Sequence, residues 1–351
     1  MNRLGQLFTR LAVASTLVCC VGLQPARAQQ TWSIATAYPA DTVAGRGVAF
    51  FASALTDQTG GKVLGKPEFK AKAGATDLVS AVQDGRLQVA DVFGGSLAQL
   101  DPIFELPTLP FQVHSLGDSQ RLTCVVEPLY RRALLRAGLH MLFISPWPPT
   151  GLWSRVPVAD PADMTGMRVR TYDDSSAQVL TGLGMRATAL SVQDVRPLLR
   201  IGALDGVLSS GDGAVGRSFH GQLPNFTAIH YAFPVSFVVM SQTRYEALPD
   251  ELRAQLDKAA KDVQRRQWAT LPARIRENYA AMRLAGVNVN TSIDDGFRTH
   301  LREAGDARMK EWLARVPAEY STAVKAFLEE APSAQSTCPI SLLEAQQGAR
   351  G

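Results

Sequence analysis

The chain of 351 residues predicts an α/β fold built as two lobes, and three observations lead there. Short apolar runs suited to strands alternate with stretches whose apolar residues recur at helical spacing, the signature of parallel strands joined by crossover helices. Midway, Pro146-Trp147-Pro148-Pro149-Thr150-Gly151 is dense enough in proline and glycine to break regular structure, and the same alternation restarts beyond it. An apolar run at 235–240, just after Tyr231-Ala232-Phe233-Pro234, then reads as a strand returning the chain to the first lobe.

The first 28 residues read as a secretion signal. Arg3 and Arg10 form a positive start, 11–23 an apolar run, and Ala26-Arg27-Ala28 a small-residue cleavage site. A lipid anchor is the poorer reading, because Val18 rather than a small residue precedes Cys19. The segment holds three arginines and no acid, so its removal leaves 33 basic against 32 acidic residues, which points away from nucleic acid. No later run approaches the ~18–20 apolar residues of a membrane span. The expected product is periplasmic, soluble and monomeric. Hydrophobic residues at 46% and charged ones at 19% suit a buried core. Cys124 and Cys338 remain after cleavage, an even count that permits a disulfide in an oxidising compartment, with two free thiols as the alternative.

The elements follow in order. A first strand at 31–38 ends at Pro39, and Val48, Phe51, Ala52 and Leu55 are spaced for one buried helical face. An extended stretch at 63–73 precedes a helix carrying Leu78, Val79 and Val82, and Val89-Ala90-Asp91-Val92-Phe93 is a short apolar strand. A proline-bounded loop at 104–111 leads to a helix at 116–137 and a strand at 139–144. Past the break come a strand at 167–171, helices at 175–183 and 192–200, and a strand at 205–208. Leu248-Pro249-Asp250-Glu251 opens a long helix, since proline suits a first turn and acids its positive end; Pro272 is expected to end or kink it. Two further helices, at 297–315 and 317–330, close the fold. The first lobe is expected to hold 29–148 and about 235–272, the second 149–234 and about 273–330, with 331–351 as a tail.

Signatures of turnover are missing. There is no G-x-S-x-G, no G-x-x-x-x-G-K-[ST], no H-E-x-x-H and no C-x-x-C, and no cofactor is expected. His114, His140, His220, His230 and His300 are scattered and are expected in surface or packing roles; His230 stands apart because it opens the His-Tyr-Ala-Phe-Pro stretch. Asp173-Asp174 suggests a solvated or capping pair, with Asp174 before the helix start at Ser175. Trp268 and Trp312 fall on helical faces and are expected in the core, whereas Trp147 and Trp153 flank the break and either line a ligand or pack the hinge.

Arg170 carries the chemistry. Strand alternation puts Met167 and Val169 on one face and Arg168 and Arg170 on the other. An arginine at the carboxyl end of a strand in an α/β protein points into the crevice where such folds bind ligands, and its guanidinium fork fits a carboxylate bidentately. Arg168 is expected in a structural ion pair.

Asp163-Met164-Thr165-Gly166-Met167-Arg168-Val169-Arg170 resembles the [DS]-[LM]-x-G-x-x-x-R stretch of DctP-type receptors of TRAP (tripartite ATP-independent periplasmic) transporters. Thr59-Gly60-Gly61-Lys62 after Phe50-Phe51-Ala52, the run at 82–90, Phe104-Glu105-Leu106-Pro107 with Leu109-Pro110-Phe111, Leu204-Asp205-Gly206 and Leu248-Pro249-Asp250-Glu251 are similar to further family motifs, in family order. The resemblance implies two lobes around a cleft, a long helix spanning both, binding without turnover, closure over a small organic acid clamped by Arg170, and delivery to a small and a large membrane subunit. Around Arg170 the expected ligand-binding set is Trp147, Trp153, Tyr38, Thr36, Gly94, Ser209, Ser210, Phe233 and Tyr172. The second arginine of the sialic-acid branch is replaced by the Thr150-Gly151-Leu152-Trp153 region, an arginine by Thr76 or Asp77, an acid by Gly94-Gly95, and an asparagine by Ser209 or Ser210. A monocarboxylate with an apolar or aromatic body therefore fits better than a sugar acid or dicarboxylate. A secreted α/β enzyme using the cleft, or a receptor of another uptake system, remain the alternatives.

Overall fold

The computed structural model describes residues 29–71 and 75–329; the expected signal segment and the tail beyond Glu330 lie outside them. The first lobe begins with β1 (Gln30–Thr36), α1 (Val43–Gln58), β2 (Val63–Glu68), α2 (Ala75–Gln83) and β3 (Val89–Phe93). Two 3-10 turns, Gly94–Leu97 and Pro102–Thr108, lead to α3 (Leu116–Arg136) and β4 (Leu139–Pro146). The chain then enters the second lobe through β5 (Gly151–Ser154), a turn at Pro161–Met164, β6 (Arg168–Thr171), α4 (Asp174–Gly182), β7 (Arg186–Ala189), α5 (Val192–Arg200), β8 (Gly206–Ser209), α6 (Gly213–Arg217) and β9 (Asn225–Thr227). It returns as β10 (Val235–Ser241) and α7 (Gln242–Glu246), crosses again along α8 (Asp250–Leu284), and finishes with β11 (Asn288–Asn290), α9 (Asp295–Arg315) and α10 (Ala318–Glu329).

Each lobe owns one sheet. The first has the order β2-β1-β3-β10-β4, with β1, β2 and β3 parallel and β10 antiparallel to both neighbours. The second has the order β11-β9-β5-β8-β6-β7. Strand β10 is buried along its whole length because helices cover both faces of its sheet, so it reads as an unbroken apolar run. Its pleat divides it: Val235, Phe237 and Val239 join one core with Phe104, Tyr130 and Trp268, while Val238 and Met240 join another with Phe51, Phe143 and Leu256.

The long helix runs on through Pro272 to its cap at Ala285, so the proline does not end it. A proline removes one backbone hydrogen bond, but tertiary anchoring outweighs it here. Leu256, Ala259, Ala260 and Val263 are packed into the first lobe, and Met282 into the second. Helix α9 also spans the lobes, with Phe297 and Leu301 in the second-lobe core and Met309 and Trp312 in the first. Tyr320, Val324 and Phe327 of α10 belong to the first-lobe core beside α3, which corrects the placement of 273–330 as a whole in the second lobe. Helical periodicity says which face is buried, not against which lobe. Strands β5 and β7 were not anticipated either; proline density hid the first, and a short polar sequence, Arg186-Ala187-Thr188-Ala189, hid the second.

Beside α8 an ionic clasp ties the lobes together. Asp212, in the turn before α6 and 1% exposed, accepts the Val43 backbone N–H at the start of α1 (2.6 Å) and Arg274 Nε from α8 (2.7 Å). Arg274 Nη2 also donates to the Asp41 carbonyl, and the Asp41 carboxylate accepts from Arg217 and from the Ala214 N–H. Gly213 makes this approach possible. Its φ is +58°, and a Cβ there would stand 2.9 Å from the Asp41 carbonyl oxygen.

Cys124 is disulfide-bonded; Cys338, its expected partner, lies outside the described residues. Trp268 and Trp312 are in the core as expected. Among the described residues no helix is long and apolar enough to cross a membrane.

Candidate functional site

Between the lobes lies a cavity of about 720 Å³, walled by the carboxyl ends of β1 and β3 on one side and by the end of β6 with the starts of α4 and α5 on the other. A recess of about 50 Å³ shares Tyr38, Phe93, Arg170 and Tyr172 with it. Both follow from the sheet design, since strand carboxyl ends of an α/β sheet face outward where helices cannot cover them.

Arg170 stands on β6 between the two spaces and is 6% exposed. Its Nε donates to the Leu190 carbonyl (2.8 Å) and its Nη1 to the Leu208 carbonyl (3.4 Å), two bonds on different sides of the guanidinium that fix its plane. Among the described residues no carboxylate pairs with it within 4.0 Å. Burial disfavours the charged form and lowers its pKa to about 10; the opposing influences, largest first, are Tyr38, Tyr172, Asp173 and Asp194. Arg168, two residues earlier, behaves as expected of a structural residue. It is exposed and clasps Asp205 bidentately, Nε to Oδ2 at 2.8 Å and Nη2 to Oδ1 at 2.7 Å.

Aromatic rings surround Arg170. Tyr38 meets Trp147 edge-on with centroids 4.6 Å apart, and Phe93 meets Tyr172 the same way at 5.3 Å. Trp147 is held by its indole N–H, which donates to Ser236 Oγ (2.8 Å) on β10. Six of the expected residues therefore line these spaces: Arg170, Tyr38 and Tyr172 line both, and Trp147, Ser209 and Ser210 line the recess.

Four do not. Trp153 is fully buried in the second-lobe core against Phe219 and Phe226, because β5 is an inner strand between β8 and β9. Phe233 is in the first-lobe core. Gly94 is packed under Val235 and Phe237, where a Cβ would stand 2.7 Å from the Val235 carbonyl, and its neighbour Gly95 lines the cavity instead. Thr36 is fully buried one layer back. His230 is exposed with φ 47° and lines neither space.

Several lining residues escaped the sequence reading. Asp91, from the apolar run of β3, is 2% exposed on the cavity wall. Thr36 Oγ1 donates to its Oδ2 at 2.9 Å, and burial pushes its carboxyl up to about 7 against smaller pulls from Thr36 and Ser236. The usable signal was an acid inside a strand otherwise made for burial. Asp173 caps α4 by accepting the Ser176 N–H (2.8 Å), so the cap is Asp173 and Asp174 is the first helical residue; burial raises the Asp173 pKa. At the far end Glu105 takes Arg308 Nη2 (3.0 Å) and Arg315, while Arg308 Nε donates to Ser175 Oγ (3.0 Å), tying α9 across to the start of α4. Their partners come from α9, more than 130 residues along the chain.

Residues 34–315 match the family model DctP, bacterial extracellular solute-binding protein, family 7. The chain belongs to the DctP family. Solved structures agree on the fold. A Bordetella pertussis receptor, DctP7, which binds pyroglutamic acid, superposes with a TM-score of 0.80 at 24% identity, covering 85% of this chain and 99% of that one. DctP6 of the same organism, also binding pyroglutamic acid, gives 0.81 at 21% identity over 86% and 100%. A marine metagenome TRAP solute-binding protein, solved with co-purified pyroglutamate, gives 0.80 at 24% over 86% and 99%. By sequence, a solute-binding protein of Sulfitobacter sp. (strain NAS-14.1) is 23% identical over 162 residues, 45% of this chain; the match spans about half of that relative, 49% of its length. This DctP protein is thus a two-lobed solute-binding protein.

Proposed function

We propose that this DctP receptor works in the periplasm, captures a small monocarboxylic acid between its lobes and delivers it to the small and large membrane subunits of a TRAP transporter. The observation that carries the reading is Arg170, a buried cation tied to carbonyls through Nε and Nη1 and with no protein anion among the described residues. A desolvated charge is costly until something pairs with it. A ligand carboxylate would pair with it, and Nη2 with the second proton of Nη1 suits two parallel hydrogen bonds. The surrounding Tyr38, Phe93, Trp147 and Tyr172 favour a flat or apolar body over a polyhydroxylated one. The pyroglutamate of three structural relatives is an acid of that kind and serves as a first probe.

The test is to purify the mature chain, denature it, and identify released small molecules by mass spectrometry. The expected outcome is a carboxylic acid released from wild type and missing from folded Arg170→Ala. A neutral or cationic ligand, or equal loading of the variant, overturns the proposal.

A further inference from the structure

We infer that Asp91 reads a hydrogen-bond donor on the ligand, so that the receptor takes an acid bearing an N–H or O–H group in addition to the carboxylate held by Arg170. This rests on the carboxylate clamp proposed above and narrows its substrate class.

The geometry begins at Thr36. Its Oγ1 accepts the Tyr38 backbone N–H at 3.3 Å, which leaves its own proton to be donated to Asp91 Oδ2 at 2.9 Å. The local chain thus gives the hydrogen bond one polarity, with Asp91 as acceptor. The opposite oxygen, Oδ1, is buried and has no hydrogen-bond partner among the described residues. Ser236, beside it on β10, accepts the Trp147 indole N–H and keeps its own hydroxyl proton, whose pull on Asp91 is weaker than that of Thr36 and leaves Oδ1 unbonded. Once it has lost its proton the carboxylate offers only acceptors, so Oδ1 is then complete only when a donor reaches it, and the residue that carries it forms part of the cavity wall.

Position adds to this. Asp91 faces the cavity from the first lobe and Arg170 from the second, so closure brings an acceptor and a cation to one ligand from two sides. Tyr38 lies within electrostatic reach of both and supplies an aromatic edge between them. A carboxylate at one end, a flat body in the middle and a donor at the other end would meet all three. A site built to bond a polar group rejects the analogue lacking it much more strongly than it rejects a change of one methylene.

The experiment uses matched acids and calorimetry on the mature receptor. Pyroglutamate is compared with 5-oxotetrahydrofuran-2-carboxylate, in which the ring N–H is replaced by oxygen, and 2-hydroxy-3-phenylpropanoate with 3-phenylpropanoate. In at least one pair the donor-bearing acid should bind wild type roughly ten- to a hundred-fold more tightly. In Asp91→Asn, shown folded by circular dichroism, that preference should fall to within about three-fold or invert, because the amide offers a donor of its own. Equal affinities within both pairs on wild type, which needs no variant, overturn the inference, and so does a preference that survives in Asp91→Asn. Arg170→Ala separates the two layers. If it abolishes binding of all four acids while the pairs stay indistinguishable, only the Asp91 reading fails. If it binds them undiminished, or if wild type binds none, the carboxylate clamp fails and the Asp91 reading with it.

Discussion

Two places in this receptor bury charge between the lobes, and they treat it oppositely. At the clasp beside α8, Asp212 is met by Arg274 and a backbone N–H, and Asp41 by Arg217. In the cleft, Arg170 has carbonyls but no anion, and Asp91 has one hydroxyl and an open oxygen, again among the described residues. The burial is alike, with Asp212 at 1% and Asp91 at 2% exposed. The contrast shows that this fold can satisfy buried ions from its own residues, at the clasp and at Glu105 in the cavity wall, and that around Arg170 and Asp91 it does not. Charges that close a structure on themselves stabilise it, whereas charges left open trade stability for recognition.

Breaking the clasp should give the largest loss of stability. Arg274→Ala leaves Asp212 buried and unpaired, a change that typically costs ~3–5 kcal/mol. Urea unfolding of the ligand-free receptor measures it, and a loss below about 1 kcal/mol would mean that the clasp is solvated and the contrast false. Arg170→Ala should do the reverse. Ligand affinity drops by ~2–5 kcal/mol while unfolding stability holds or rises, because a desolvated cation has been removed. Arg170→Lys should also bind poorly, since a point charge cannot reproduce the fork; calorimetry beside urea unfolding separates the two quantities.

A smaller effect tests Asp91 through pH. Its folded pKa of about 7 lies above the ordinary value of 3.8, so between those limits the folded state holds a proton that the unfolded chain has released. Stability contributed by this group therefore falls as pH rises from about 4 to 7 and stays low above it. The groups facing it are Thr36, Ser236 and Tyr38 from its own lobe and Arg170 across the cavity. Asn does not titrate, so Asp91→Asn should match wild type near pH 4 and exceed it by about 1–3 kcal/mol at pH 8. A constant difference across that range would show that Asp91 does not titrate there. Least of all should change in Arg168→Ala, whose exposed pair with Asp205 is worth at most ~1 kcal/mol and whose loss should leave affinity untouched.

The sequence already announced Arg170, because a glycine turn, an alternating strand and a cation at its end are all local features. Asp91 was just as visible as a letter, but its run was read for hydropathy, and only the register that sets it opposite Thr36 explains why an acid is tolerated there. Trp153 shows the converse. Closeness to the proline-rich crossing suggested a cleft residue, but whether a strand is inner or outer depends on β8 and β9, which arrive more than 50 residues later. The two-lobe architecture was legible from the repeated alternation. Which lobe receives α10 was not, since an amphipathic helix of that length says nothing about its partner.

The placement of β10 has a consequence for how the molecule comes into being. It is hydrogen-bonded between β3 and β4, so the first sheet lacks its middle until residues 235–241 have joined it. The core beneath that sheet then waits for Tyr320, Val324 and Phe327. An emerging chain therefore cannot complete its amino-terminal half first and its carboxyl-terminal half second. Pairings this distant in sequence must pay loop-closure entropy before they yield any contact, which slows folding. A chain whose first lobe cannot close before α10 arrives remains open and threadable for nearly all of its synthesis.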